Sequence, residues 1–220
     1  MKDVAAIVLA AGQSSRMGAF KPLLSFGDTT VIEHTIDYLR LGGIETIIVV
    51  VGHRAADIKN HLENCGLIFV TNPDLDSAMA ASILIGLREL PRDARAIVIT
   101  PVDHPAVPAE IVTRLINEWR EGARLIIPTN EGRGGHPVLI DLSFHAELLK
   151  LDPSLGLKSF FDAHRNDVRR VAVNSNYIAR DLDTWDDYRS LHQEAFGVLP
   201  TKAHLSELQA TKSRTREETN

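Results

Sequence analysis

The segment from Ala11 to Pro22 reads Ala-Gly-Gln-Ser-Ser-Arg-Met-Gly-Ala-Phe-Lys-Pro and follows directly on the apolar run Val4 to Ala10. Glycine lets backbone turn and approach a ligand in ways that a Cβ obstructs, so successive amides can converge on phosphate oxygens. Ser14 and Ser15 add hydroxyls, and Arg16 and Lys21 add the positive charge that a polyphosphate requires. The dinucleotide fingerprint G-x-G-x-x-G and the triphosphate loop G-x-x-x-x-G-K-[ST] need other spacings, so this is a phosphate cradle of another kind or an ordinary Gly/Ser turn. Lys21 precedes Pro22, which predicts extended backbone at Lys21 and a side chain projecting from a rigid, non-helical position.

Three further segments carry chemistry. Thr100-Pro101-Val102-Asp103-His104-Pro105 closes an apolar run and sets Asp103 just past a strand end, where a carboxylate suits a hard cation such as Mg2+ or serves simple turn chemistry. Gly132-Arg133-Gly134-Gly135-His136-Pro137-Val138 offers Arg133 and His136 to an anionic or heteroaromatic substrate, or forms a Gly-rich hairpin with an exposed arginine. In Asp181-Leu182-Asp183-Thr184, Asp183 or Thr184 is placed to cap a helix, with Asp186 and Asp187 favourable in its first turn. Asp183 is also the best second carboxylate for a magnesium site at Asp103, since Mg2+ takes one or two protein carboxylates beside phosphates and water. The nine histidines include no H-E-x-x-H, so no zinc site is expected. Cys65 is the one cysteine and is read as a small buried hydrophobe; an internal disulfide is excluded.

The elements that must position these residues follow from periodicity. Val4 to Ala10, Ile44 to Val51, Leu67 to Thr71, Arg95 to Thr100 and Arg124 to Pro128 are short Val/Ile-rich runs of the kind buried on both faces of a sheet. Helical patterns at Val31 to Leu41, Ala55 to Asn64, Ala78 to Leu90 and Pro108 to Glu121 lie between them. Alternation of this kind predicts a single three-layer α/β domain with a mostly parallel, Rossmann-like sheet and ligands at the carboxyl ends of its strands. Further strands are expected at His136 to Asp141 and Val168 to Val173, with helical patterns starting at Ser143, at Leu155 and near Thr184. The domain is assigned to residues 1–197 and a polar tail, fraying or loosely docked, to 198–220.

Composition bounds the partners. Of 220 residues, 44% are hydrophobic and 24% charged, which excludes a disordered chain. The longest apolar run, Val4 to Ala11, is far shorter than the roughly 20 residues of a membrane span, and no signal peptide is expected. A net charge of -5 gives no broad case for nucleic acid or an anionic membrane. A soluble protein in the reducing cytoplasm is predicted.

Taken together, Leu9-Ala10-Ala11-Gly12-x-Ser14-x-Arg16-Met17-Gly18-x-x-Lys21-x-Leu23-Leu24 resembles the opening signature of the MobA-like nucleotidyltransferases. Glu33-His34-Thr35, Asn72-Pro73 with Ser82 and Gly86-Leu87, Pro101-x-Asp103-x-Pro105, Gly134-x-His136-Pro137 and Asp181-x-Asp183-Thr184 follow in the order of that superfamily, so the likeness covers about residues 4 to 190. Within it the chain is most similar to the molybdenum cofactor cytidylyltransferases, because the guanylyl branch usually has Ala-Gly-Gly where Ala10-Ala11-Gly12 stands. Ser77 stands where many members have glycine, and Thr100-Pro101-Val102-Asp103 departs from their common Gly-Asp-x-Pro form. The resemblance implies a GT-A-like nucleotidyltransferase fold and Mg2+-dependent transfer of a nucleotidyl group from an NTP, CTP before GTP, to a phosphate acceptor such as molybdopterin, with release of pyrophosphate. Carried onto this sequence, the Leu9, Ala10, Ala11 and Gly12 backbone contacts the base, and Ser14, Ser15, Arg16, Gly18 and Lys21 hold the triphosphate. Asn72 and Ser82 lie at the nucleotide, Asp103 with Asp183 at the metal, and Gly135 and His136 at the acceptor. Arg16, Lys21 and Asp103 form the catalytic set. Two alternatives share the fold: a sugar-phosphate nucleotidyltransferase, and a non-catalytic nucleotide- or pterin-binding accessory protein for a molybdoenzyme.

Overall fold

The computed structural model describes residues 3–13, 17–74 and 78–200. Strand β1 (Val4–Ala10) is an interior strand of the sheet and is buried along its whole length. Successive side chains of a strand point to opposite faces. Val4, Ala6, Val8 and Ala10 accordingly enter one hydrophobic cluster, while Ile7 and Leu9 enter the other. Strands β4 (Thr46–Val51) and β6 (Ala96–Pro101) pair with β1 on its two sides, both parallel to it. Beyond β4 lies β5 (Ile68–Thr71), and beyond β6 come β9 (Val138–Asp141), β7 (Leu125–Asn130) and β10 (Val168–Ala172), with β8 (Arg133–Gly134) appended to β7.

Helices cover both faces. Residues of α1 (Val31–Leu41), α2 (Ala55–His61), α4 (Ala109–Arg120) and α7 (Trp185–Phe196) pack in one cluster. Residues of α3 (Met79–Leu87), α5 (His145–Leu148) and α6 (Gly156–Ala163) pack in the other. The result is the expected three-layer α/β architecture with a mostly parallel sheet. No helix among the described residues is long and apolar enough to cross a membrane.

Several elements differ from the sequence expectation, each for a local reason. Lys21 is not extended: it opens a 3-10 turn, Lys21–Leu23, after Phe20. A proline near the start of a helical turn removes an amide that needs no intrahelical partner there, so the turn forms despite Pro22. The pattern over Ala55 to Asn64 stops at His61, and Asn64 takes a positive φ of 67°. The Ala78 to Leu90 pattern shortens to Met79–Leu87. Ile68–Thr71 is an edge strand, half-exposed rather than buried on both faces. The hairpin of β2 (Ser25–Phe26) and β3 (Thr29–Thr30) is too short for a periodicity argument; Gly27, at φ 61°, makes its turn. Finally, β9 runs antiparallel to both β6 and β7, which reverses the sheet locally.

That reversal matters for position. With Ile99 opposite Val138, the start of β9 lies at the carboxyl end of β6, so the chain just before Val138 is delivered to the same edge as the chain just after Pro101. The β2–β3 hairpin is fixed from below by α7: the Tyr188 hydroxyl donates to the Ser25 carbonyl at 2.6 Å, and the Gly27 amide donates to His192 Nε2 at 3.4 Å. His192 in turn donates through Nδ1 to the Val198 carbonyl at 2.7 Å. Phe26 packs edge-on against His34, His192 and Phe196.

Helix α3 crosses β1 so closely that a Cβ on Gly86 would lie 2.8 Å from Ile7 Cγ2. In an exposed helix, glycine to alanine gains about 1 kcal/mol of propensity, whereas overpacking a tight core costs about 1–3 kcal/mol. Gly86→Ala is therefore expected to lower the denaturation midpoint; an unchanged or raised midpoint would show that α3 can shift away from β1 at no cost.

Candidate active site

The carboxyl ends of β1, β5 and β6 open into a cleft of about 210 Å³. Its lining includes Leu9, Ala10, Ala11 and Gly12 from the end of β1, Lys21 and Pro22 from the 3-10 turn, and Asn72 and Asp74 beyond β5. Met79 and Ser82 of α3 and Pro101, Val102 and Asp103 beyond β6 complete it. Among the described residues, a Cβ on Gly12 would meet nothing within 4 Å, so this glycine leaves its backbone open to the cleft. Gly52 has the opposite reason: a Cβ there would sit 2.7 Å from the Ala11 carbonyl, so its absence lets the end of β4 pack under the start of the loop. Ser14, Ser15, Arg16 and Ser77 lie outside the described residues.

Lys21 is buried to 8% exposure, and its ammonium is engaged on two sides. Nζ lies 2.8 Å from Asp183 Oδ1 and 3.5 Å from Asp103 Oδ2. The cap of α7 is not Asp183 but its neighbour Thr184, in a capping box closed by Asp187. The register of Asp183 against Asp103 is set by backbone: the Leu182 amide donates to the Asp103 carbonyl at 3.1 Å. The second Asp103 oxygen, Oδ1, lies 3.0 Å from His104 Nδ1. Burial of Asp103 opposes ionisation, but the His104 hydrogen bond and the neighbouring His104 and Lys21 charges outweigh it and hold the carboxyl below its ordinary range.

The strand end that carries Asp103 is gripped from α1. Pro101 has no amide to donate. Hydroxyls supply other links: Tyr38 Oη and Thr100 Oγ1 are 2.8 Å apart, Thr100 Oγ1 donates to the Pro101 carbonyl at 3.2 Å, and Thr35 donates to the Val102 carbonyl at 3.1 Å. Thr35 and Thr100 are fully buried, and burial pushes the Tyr38 phenol well above its usual pKa.

Asn72 is also held. Its Nδ2 donates to Ser82 Oγ at 3.0 Å and its Oδ1 accepts from the Asp74 amide at 3.0 Å, which fixes the amide orientation at the cleft wall. Gly135 and His136 do not line the cleft but adjoin it behind Asp103. The His136 and His104 rings stand edge to face at 5.1 Å. Burial, with the His104 charge adding to it, pushes the His136 pKa down to about 4, so its ring is neutral at pH 7. His136 Nδ1 is buried and finds no hydrogen-bond partner among the described residues. The Ile178 carbonyl accepts from the His136 amide at 2.7 Å, and Gly135 permits that approach, since a Cβ there would overlap the Ile178 backbone. Gly18, at φ 63°, belongs to the turn entering Lys21 rather than to the cleft wall, and Arg133 is exposed on the β7–β8 hairpin.

Sequence reasoning thus finds Leu9 to Gly12, Lys21, Asn72, Ser82 and Asp103 in one cleft and Asp183 against it. It misses Asp74, Met79 and the Tyr38–Thr100 pair. Asp74 follows Asn72-Pro73 closely enough to have been included; a lone tyrosine within a helical pattern gives no such signal.

This arrangement, a mostly parallel sheet with a cation at the mouth of a strand-end cleft, is the nucleotidyltransferase fold. A nucleotidyl transferase from Methanothermobacter superposes with a TM-score of 0.77 at 23% identity, covering 90% of this chain and 99% of that one. Rv0371c from Mycobacterium tuberculosis H37Rv superposes with a TM-score of 0.79 at 30% identity, covering 87% and 98%. The chain belongs to the MobA-like NTP transferase family, whose domain matches residues 6–168. It is 24% identical to the molybdenum cofactor cytidylyltransferase of Escherichia coli K12 over 189 residues, 86% of this chain and 95% of that protein. It is 40% identical over 121 residues, 52% of the chain, to a bifunctional IPC transferase and DIPP synthase of Rubrobacter xylanophilus, of whose length it spans 27%.

If the hydroxyl links hold Asp103 in place, Tyr38→Phe should cost about 1 kcal/mol of stability, the net worth of one buried hydrogen bond. If Asp103 holds a divalent cation, the variant should also raise the metal concentration needed for half-maximal turnover. Equal metal dependence in variant and parent, beside the loss of stability, would confine Tyr38 to a packing role.

Proposed function

We propose that this nucleotidyltransferase moves the cytidylyl group of CTP, with Mg2+, to the terminal phosphate of molybdopterin and releases pyrophosphate. The observation that carries the reading is the Lys21 ammonium set between Asp103 and Asp183 at the mouth of a cleft whose floor is the open Leu9–Gly12 backbone. The match to the Escherichia coli cytidylyltransferase over nearly its whole length supports the base and the acceptor.

The chemistry needs little from side chains beyond charge and placement. An acceptor phosphate oxygen is ionised at neutral pH, attacks the α-phosphorus and forms a new P–O–P link. The bond from that phosphorus to the bridging oxygen breaks, and pyrophosphate leaves with the electron pair. No proton has to be removed, so positioning and charge stabilisation dominate. In this reading Lys21, with Arg16, neutralises charge on the α-phosphate and leaving pyrophosphate. Ser14, Ser15 and Gly18 belong to the triphosphate loop, the Leu9–Gly12 backbone faces the base, and the Asn72–Ser82 pair fixes the cleft wall beside it. Gly135 and His136 adjoin the acceptor side.

The residues present fit a divalent cation. Asp103 and Asp183 bring hard oxygen donors to one point where a positive charge already sits. Mg2+ takes one or two protein carboxylates and completes its shell with phosphate oxygens and water, which two aspartates can meet. When bound, Mg2+ supplies charge neutralisation and orientation of phosphate oxygens. A crystal structure of Rv0371c, 29% identical with a TM-score of 0.75, is a complex with manganese.

A sugar phosphate is the second acceptor, favoured by Pro101 and Val102, which stand where the common Gly-Asp-x-Pro form differs, and by the likeness over half the chain to the bifunctional transferase. Pyrophosphate release with each NTP decides both questions. It is expected to be fastest with CTP and to depend on molybdopterin; faster release with GTP reverses the base, and release with sugar 1-phosphates but not molybdopterin reverses the acceptor.

Asp183→Asn tests the metal role. Thr184 caps α7, and asparagine retains an oxygen for Lys21, so the melting temperature should fall little. Turnover should drop and recover in part at high Mg2+. Full turnover at limiting Mg2+ would remove Asp183 from the metal site.

A further inference from the structure

Lys21, Asp103 and Asp183 come from three distant parts of the chain, and two backbone links help to place them. The Lys21 carbonyl accepts from the Leu24 amide at 3.1 Å, and the Asp103 carbonyl accepts from the Leu182 amide at 3.1 Å. Lys21 is buried, and its ammonium lies 2.8 Å from Asp183 and 3.5 Å from Asp103. Two carboxylates facing one point repel each other unless a cation stands there. Lys21 therefore does two things that oppose one another in catalysis: it balances the carboxylates, and it is the cation the phosphates require.

We infer that Lys21 is the resident counter-ion of the Asp103–Asp183 pair and competes with the divalent cation for it, so that metal capture frees the ammonium for the nucleotide. The inference rests on the proposed metal role of the two carboxylates. A divalent cation taken up beside an immobile Lys21 would stand within a few ångströms of a like charge, which penalises metal binding to the free protein. An incoming triphosphate removes the penalty, because it offers the ammonium another anion. Metal and nucleotide then bind with positive coupling, and by linkage each raises the affinity for the other by the same factor. The device also keeps the partly buried carboxylates compensated before substrate arrives, since charge held away from water is costly when it has no partner.

The consequence is contrary to the usual expectation for a catalytic cation: neutralising it should strengthen metal binding. Mn2+ affinity of the nucleotide-free protein, read from the electron paramagnetic resonance of free Mn2+, is compared for the parent, Lys21→Gln and Lys21→Met. Glutamine keeps a donor for Asp183; methionine keeps the length without charge. Both variants are expected to bind Mn2+ about tenfold more tightly than the parent, within the usual range of such couplings. Their melting temperatures should rise more on adding Mn2+, since a ligand stabilises the state it binds. Equal or weaker Mn2+ binding by both variants overturns the inference, and so does a variant that stays unfolded with Mn2+ present. Asp103→Asn and Asp183→Asn separate the two levels. If they weaken Mn2+ binding while Lys21→Gln leaves it unchanged, the metal site stands and the competition falls; if neither weakens it, the metal-site reading itself falls.

Discussion

A single ammonium between two carboxylates is the constraint on which this structure turns. Lys21 pairs with Asp183, 162 positions away in sequence, and with Asp103 in between. A partly buried trio of this kind adds little net stability by itself, because desolvation offsets most of the attraction. What it demands is placement: each member must arrive within reach of the others, or partly buried charges are left uncompensated. Much of the fold that surrounds the trio can be understood as the means of meeting that demand.

The means are mostly uncharged. Asp103 sits where a parallel strand ends in a proline, a point at which the regular ladder stops, and hydroxyls of Thr35 and Thr100 with the Tyr38 phenol tie that end to α1. The same helix follows the β2–β3 hairpin, its first residue bonded back to Leu24, so Lys21 and Asp103 are referred to one rigid element. Asp183 is referred to another, α7, whose Tyr188 and His192 hold the hairpin from the opposite side. Burial lifts the Tyr188 phenol to about 12, so this hydroxyl stays protonated and able to donate throughout the working pH range. Two helices thus hold the three charges, and the capping boxes that start both, Thr30 with Glu33 and Thr184 with Asp187, fix where each helix begins.

How much of this was legible in the sequence depends on the kind of signal. The runs Val4 to Ala10 and Val31 to Leu41 match β1 and α1 to the residue, because a doubly buried strand and an amphipathic helix both impose a pattern on many side chains at once. Asp103 and Lys21 could be singled out because strand ends and Gly/Ser loops concentrate function. Their contact could not, since nothing local links positions so far apart. The antiparallel course of β9 was hidden for a similar reason: Val138–Asp141 is apolar whichever way it runs, and direction is decided by the short β7–β8 turn at Glu131 and Gly132, both at positive φ. Lys21 itself shows a local rule overruled, since the preference of a pre-proline residue for extended backbone is weaker than the tertiary need for a tight turn under α1.

The reversal at β9 has a consequence for the two ligands of the proposed reaction. In a wholly parallel sheet each strand would deliver its carboxyl end to the cleft edge; β9 instead delivers its amino end, and with it Gly135 and His136. The glycine lets Ile178 approach, and Ile178 is only a few residues from Leu182, whose amide positions the chain at Asp183. The Gly135–His136 segment, on the acceptor side in the proposed reaction, and one of the two carboxylates are therefore parts of the same packed unit, while the side proposed for the nucleotide is built on β1, β5 and α3. The trio lies at the seam. A nucleotide on one side and a phosphorylated acceptor on the other would both meet it, which is the geometry required when a phosphate oxygen must attack the α-phosphorus in line with the departing pyrophosphate. A neutral His136, buried beside His104, adds no charge to that seam; the balance there is left to Lys21, Asp103, Asp183 and the His104 that contacts Asp103, together with the cation and phosphates of the proposed reaction.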